Sequence, residues 1–183
     1  QRIDVNCNTL WSTPSEGGIN ICNYDGVQQY PKVTYYNQNQ SIIVWEDRRN
    51  NPNAGDVYAQ FVNMDGEISS ADGIEICTNE SIQIKPRVKA SPLGAHIVWE
   101  DKRNGHSDIY AQLLTYENGS EWDVDGVGVC NASGAQDQPR LTTDSYGGAY
   151  YVWMDERYNS FPETEIFAQY LDLSGNQSFE VDG

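Results

Sequence analysis

Apolar and polar residues alternate in short runs along this chain. The segments "SIIVWED" from Ser41, "AHIVWED" from Ala95 and "AYYVWMD" from Ala149 are β-branched and aromatic. The segments "DVYAQFVNMDG" from Asp56, "DIYAQLLTYENG" from Asp108 and "EIFAQYLDLSG" from Glu165 alternate and then reach Asp-Gly, Asn-Gly and Ser-Gly turns. These are strand and hairpin signals. No segment keeps a 3.6-residue period over a helix length, so the pattern predicts an all-β chain.

The same runs are written three times. Trp45, Trp99 and Trp153 recur at a constant step of 54 residues, and Asp47, Asp101, Asp155 and Arg49, Arg103, Arg157 keep that step. Upstream, "PKV", "PRV" and "PRL" open at Pro31, Pro86 and Pro139, each with a glutamine three residues before it (Gln28, Gln83, Gln136). "GINIC", "GIEIC" and "GVGVC" end at Cys22, Cys77 and Cys130. In the second unit the pattern predicts strands near Arg87–Ala90, Ala95–Glu100, Ile109–Thr115 and Glu121–Cys130, the last broken at Asp125-Gly126. Four short strands per unit joined by tight turns is the content of one β-propeller blade. The expected fold is therefore all-β, a propeller of four-stranded antiparallel blades. Residues 1–22 are expected to end a preceding blade, with blades over 23–77, 78–130 and 131–183. Gln1 then stands where Gln60, Gln112 and Gln169 stand. Three blades are too few to close a ring. The chain is thus expected to be part of a larger propeller, completed by further blades of the same chain or by a second subunit.

Charge narrows the partners. The formal net charge is −16, with 11 Lys and Arg in 183 residues. Phosphate backbones and anionic membranes are bound by clustered cations, so neither nucleic acid nor a membrane surface is an expected partner. No apolar run approaches the length of a membrane span. The opening "QRIDVNCNTLW" has no apolar signal core; an exported chain is expected to have lost that segment or to carry it outside this sequence. Cys22, Cys77 and Cys130 occupy equivalent places in successive units, too far apart for disulfides, and read as small buried residues at strand ends. A Cys7–Cys22 bridge stays open.

The repeated residues have a packing reading and a ligand reading. Trp45, Trp99 and Trp153 suit the wedge between neighbouring sheets, with a glycan-stacking platform as the alternative. The pairs Asp47/Arg49, Asp101/Arg103 and Asp155/Arg157 are expected to staple the loop that returns Asp56, Asp108 and Glu165 beside them. Asp47, Asp56, Asp101, Asp108, Asp155 and Glu165 are also the candidate ligands for calcium, which takes six to eight oxygens; an arginine in each cluster opposes a cation. Gln60, Gln112 and Gln169 are expected to satisfy backbone groups between strands or blades. Asn39, Asn79, Asn118, Asn131 and Asn176 open Asn-x-Ser sequons near turns and are candidate glycosylation sites. His96 is expected to pack and His106 to be solvated. No nucleophile motif or phosphate loop occurs, so no catalytic residue and no enzyme activity are expected.

On these residues the unit resembles a VWxDxR…DIYAQ repeat of secreted and surface proteins of bacteria and archaea, similar to the TolB-type, WD-like β-propeller repeat. The resemblance covers almost the whole chain and implies a propeller and an extracellular or cell-surface location. The first unit departs from it by writing "NQNQS" (Asn37–Ser41) where the third has "DSYGGAYYVW". Fold alone does not set function. The expected function is a non-catalytic structural or binding module of a surface or fibre-like assembly, showing loops to a protein or glycan partner. A lectin-like module and a glycoside hydrolase fragment are the alternatives.

Overall fold

A computed structural model describes residues 1–11, 17–158 and 163–183. Its twelve strands are β1 (Gln28–Asn37), β2 (Gln40–Asp47), β3 (Asp56–Asn63), β4 (Ile74–Cys77), β5 (Gln83–Ser91), β6 (Gly94–Asp101), β7 (Asp108–Thr115), β8 (Gly119–Ser120), β9 (Val127–Cys130), β10 (Gln136–Thr143), β11 (Ala149–Asp155) and β12 (Glu165–Leu171). Every pairing is antiparallel, and no helix occurs among the described residues.

The strands form three sheets, one per repeat. Sheet 1 runs β1-β2-β3-β4, sheet 2 runs β5-β6-β7 with β8 and β9 both on β7, and sheet 3 runs β10-β11-β12. The turns explain the short strands. In sheet 2 the expected fourth strand is reduced to β9, because Asp125 and Gly126 take φ of 62° and 82° and reverse the chain just before it. Glycine suits Gly126, where an added Cβ would lie 2.5 Å from Trp99.

Each first strand carries the same irregularity. The register shifts between Gln29 and Lys32, between Ile84 and Arg87, and between Asp137 and Arg140. Tyr30, Lys85 and Gln138 occupy these bulges at φ of 56°, 56° and 55°. Each precedes the repeated proline, whose ring disfavours the right-handed helical region at the residue before it. The proline lacks an N–H, so it fits where the ladder is already broken.

The sheets pack on one another in chain order. β5 lies against β1, β2 and β3, and β10 lies against β5, β6 and β7. The first strands of successive sheets are in mutual contact, whereas the fourth strands make no comparable contact. Between sheets 1 and 2 one buried cluster gathers Ile42, Val44, Val57, Ala59 and Phe61 against Val88, Ala95, Ile97, Trp99 and Tyr110. Between sheets 2 and 3 a second gathers Val98, Ile109 and Ala111 against Ala149, Tyr151, Trp153 and Leu171. The period-2 alternation of each strand feeds two interfaces, one on each face. In the middle strands every residue from Gly94 to Asp101 is buried, as expected for a sheet covered on both sides.

Candidate functional site

The repeated "VW(E/M)D(R/K/E)R" stretch ends the second strand of each sheet. Residues two apart share a face, so Trp99 and Asp101 point the same way, and so do their counterparts. Trp45, Trp99 and Trp153 donate their indole N–H to Asp47, Asp101 and Asp155 Oδ2 at 2.8, 2.9 and 2.8 Å. The other oxygen of each aspartate accepts the backbone N–H of Arg49, Arg103 or Arg157 at 2.9, 2.9 and 2.8 Å, starting the loop to the third strand. Each guanidinium then closes an ion pair with the same carboxylate at 2.7, 2.6 and 2.7 Å.

The arginine also reaches two other places. Its Nη2 donates to the carbonyl of Asp72, Asp125 or Asp182 in the turn after the third strand of its own repeat, at 2.7, 2.8 and 2.6 Å. The same nitrogen donates to Cys22, Cys77 or Cys130 of the preceding repeat at 3.2, 3.3 and 3.2 Å. The guanidinium carbon lies 3.9, 3.8 and 3.8 Å from the ring centres of Tyr58, Tyr110 and Phe167. One side chain therefore joins the second strand, the turn ahead of the fourth strand and the end of the preceding sheet. Further N–H donors cross the same seam: Thr78 to Asp125 Oδ1 and Asn131 to Asp182 Oδ1, at 2.9 and 2.8 Å.

The electrostatics match a held joint. Burial pushes Asp47 and Asp155 up, but hydrogen bonds from Arg49 and Trp45, and from Arg157 and Trp153, outweigh it and hold both below the usual carboxylate range. Burial pushes the Cys77 thiol far up and the Cys130 thiol to about 12, so neither is a ready thiolate. The three cysteines are thus acceptors for arginine rather than only the small apolar residues the sequence suggests. All four cysteines are free, including Cys7 and Cys22.

The second acid of each loop returns beside the first, as expected: Asp47 pairs with Asp56, Asp101 with Asp108 and Asp155 with Glu165 across the ladder. The staple is not Asp–Arg–Asp, however. Asp56 and Asp108 bind the amides of Asn50 and Asn104 at 2.8 and 2.7 Å, while arginine stays on the first acid. Burial raises both Asp56 and Asp108, and the neighbouring aspartate adds to the rise. Of the residues proposed for calcium, Asp47, Asp101 and Asp155 are engaged by Trp and Arg. Among the described residues no three acidic, His or Cys side chains gather as a metal group.

The glutamines hold loops of their own repeat rather than neighbouring sheets. Gln112 donates to Asp123 O at 2.9 Å and accepts from Trp122 N at 2.9 Å. Gln169 does the same with Glu180 and Phe179, and Gln60 with the carbonyl and N–H of Ser70. Gln1 accepts from Trp11 N at 3.0 Å, the same bond as in the second and third repeats.

His96 is fully buried rather than partly so, between Tyr151 OH at 2.9 Å and Gly147 O at 2.8 Å. Burial lowers its pKa, so it stays neutral. His106 is half-exposed, 2.9 Å from Asp108. Asn39, Asn118, Asn131 and Asn176 are exposed and Asn79 is half-buried.

Sequence reading missed Glu46 and Glu100, which are buried at the seams. Glu100 accepts from Lys85 Nζ at 2.9 Å and from the Gln138 N–H of the next sheet at 2.7 Å. Burial raises its pKa. The signal was present in the "WED" of two repeats and its loss to Met154 in the third. No family model, curated protein or solved structure matches the chain.

Proposed function

We propose that this chain is a non-catalytic β-propeller module, a structural or binding unit of an extracellular assembly. The observation that carries this is the Trp–Asp–Arg–Cys joint, built in all three repeats with donor–acceptor distances that agree within about 0.1–0.2 Å at each position. A catalytic constellation is made once, from groups free to act on a substrate. Here the repeated carboxylates are held by tryptophan and arginine, and the thiols by the same arginine, in every copy, which supports a scaffold. Mutual contact of the first strands, with no comparable contact between fourth strands, supports sheets that fan about an axis as blades do. High negative charge supports a soluble, self-repelling surface, and the exposed sequon asparagines are compatible with export. Loops between the joints are then free to meet a protein or glycan partner.

The test has two readouts on the same well-folded sample. A glycoside panel is expected to show no turnover, and turnover lost on substitution of one unrepeated carboxylate overturns the scaffold reading. A low-resolution envelope from X-ray scattering is expected to fit a curved fan of sheets; an envelope fitting a flat stack counts against a propeller. Melting with and without a chelator checks calcium.

A further inference from the structure

The two seams differ at one matching place. Three residues before the repeated tryptophan stand Ile42, His96 and Tyr150, and one residue later Ile43, Ile97 and Tyr151. Between sheets 1 and 2, Ile42 and Ile97 belong to one buried apolar cluster. Between sheets 2 and 3, the residues at those positions are His96 and Tyr151, hydrogen-bonded to each other and both 0% exposed. A titratable ring thus replaces an aliphatic contact at one seam only.

The hydrogen bonds fix the state of that ring. Gly147 O can only accept, so Nε2, 2.8 Å away, carries the imidazole proton. Nδ1 is then the lone pair that accepts the Tyr151 hydroxyl at 2.9 Å. A second proton, placed on Nδ1, turns this acceptor into a donor. The Tyr151 hydroxyl then has no acceptor for its own hydrogen, since among the described residues it has no other hydrogen-bond partner. A cation and a stranded hydroxyl would share a fully buried site, and each is costly there.

The surroundings do little to offset that cost. Across the ladder stand Lys89 on β5, a like charge, and Leu113 on β7. The Trp122 ring lies 5.6 Å away, at 64° to the imidazole. β10 contributes Thr143, whose hydroxyl is bound to Ala90 O at 2.8 Å. In the turn between β10 and β11, Asp144 favours the cation, but its carboxylate already accepts Tyr170 OH at 2.9 Å and the N–H groups of Tyr146 and Gly148. Burial outweighs Asp144 and keeps His96 neutral.

We propose that the seam between sheets 2 and 3 is an acid-sensitive joint: it loosens when His96 takes up a proton, while the seam between sheets 1 and 2, apolar at the same place, stays closed. Opening brings the imidazole to water, and reclosing requires it to lose the proton again. Buried histidines drive pH-responsive interfaces in this way. With an imidazole value of about 6.5 in the open form, opening is favoured by up to roughly 25-fold more at pH 5 than at pH 7. Glu100 lies in the same seam and works the other way, because burial raises its value and acid relieves part of its cost. The acid response goes beyond the scaffold reading, which rests on the repeated joints.

Two matched backbone bonds report the seams separately. Gln83 N–H donates to Gly55 O across the first seam and Gln136 N–H to Ser107 O across the second, both at 2.7 Å. Amide hydrogen exchange read by NMR, corrected for the pH dependence of a free amide, tests the proposal. From pH 7 to pH 5 the protection of Gln136 is expected to fall about fivefold or more relative to Gln83. His96→Gln keeps an amide N–H for Gly147 O but has no proton to gain, and is expected to abolish that difference. Equal loss at both seams, no loss at Gln136, or an unchanged fall in His96→Gln overturns the proposal. Where His96→Gln does not fold, NMR titration of the histidines in the unsubstituted chain decides. The His96 ring is expected to stay neutral down to about pH 5.5 in the folded chain, and titration near its ordinary value of about 6.5 overturns the proposal.

Discussion

Replacing Arg103 by Met isolates the joint. Asp101 is fully buried, and Arg103 is the group that neutralises it, through Nε at 2.9 Å and Nη2 at 2.6 Å. Methionine keeps the apolar stem over Tyr110 but removes the charge, the bond to Asp125 O and the bond to Cys77. Breaking a buried pair by removing one partner costs about 3–5 kcal/mol, chiefly because the remaining charge is stranded. The Asp125 carbonyl adds about 1 kcal/mol if water cannot replace the donor. For a chain of this size a total of about 3–6 kcal/mol lowers the melting temperature by about 6–24 °C. Tryptophan fluorescence in a urea series reads it directly, since Trp99 donates to the same carboxylate. The double variant Arg103→Met with Asp101→Asn removes the stranded charge and is expected to recover about half of the loss or more. A single-variant cost below about 1 kcal/mol would refute the reasoning, because the pair would then be behaving as a solvated surface bridge.

Three further outcomes follow from other parts of the seams. Gly126→Ala is expected to destabilise by roughly 2 kcal/mol or more in a urea titration, since φ is 82° and the new Cβ would meet Trp99 at 2.5 Å; Gly105→Ala, with open space around it, is expected to cost only the strain of its φ. Stability should change little from neutral into mildly acid solution, where two effects oppose, and then fall: His96 is buried with a lowered value, so its contribution is lost as pH drops through the unfolded imidazole value of about 6.5. Asp56, Asp108 and Glu100 have raised folded values, so their cost at neutral pH is relieved as pH drops through them, while Asp47 and Asp155 have lowered values and their contribution is lost below about pH 4. Urea midpoints at several pH values check this, and a monotonic rise toward low pH would contradict it. In thiol labelling of the native chain, exposed Cys7 should react first, while Cys77 and Cys130 wait for unfolding; fast labelling of either would show that the seams open.

The joint is legible in the chain's own pattern because three copies at one step point to a shared local cause. Trp, Asp and Arg lie close in sequence on one strand and its following turn, and period-2 geometry already places Trp and Asp on one face. The wedge role of Trp99 and Trp153 follows the same logic. The glutamines are legible as repeated, but their partners are not, since Gln112 binds a loop whose path depends on the Asp125-Gly126 turn. The Asp–Arg–Asp staple failed because sequence adjacency cannot rank two acids; Asn50 and Asn104 reach the second acid first. The cysteine as a guanidinium partner was out of reach, because it comes from the preceding repeat.

The sequence by itself determined the antiparallel all-β class, the three units and the residues of each joint, because these depend on local period, turn chemistry and repetition. Tertiary structure alone decided what each joint connects. Arg103 meets Cys77 across 26 residues, and Glu100 meets the Gln138 N–H across 38. Such contacts are set by how one twisted sheet lies on the next, and no single repeat contains that information. The same holds for the outer faces. Val33 and Ile166 have the apolar character of buried seam positions, and only the folded chain shows them exposed on the outer faces of sheets 1 and 3.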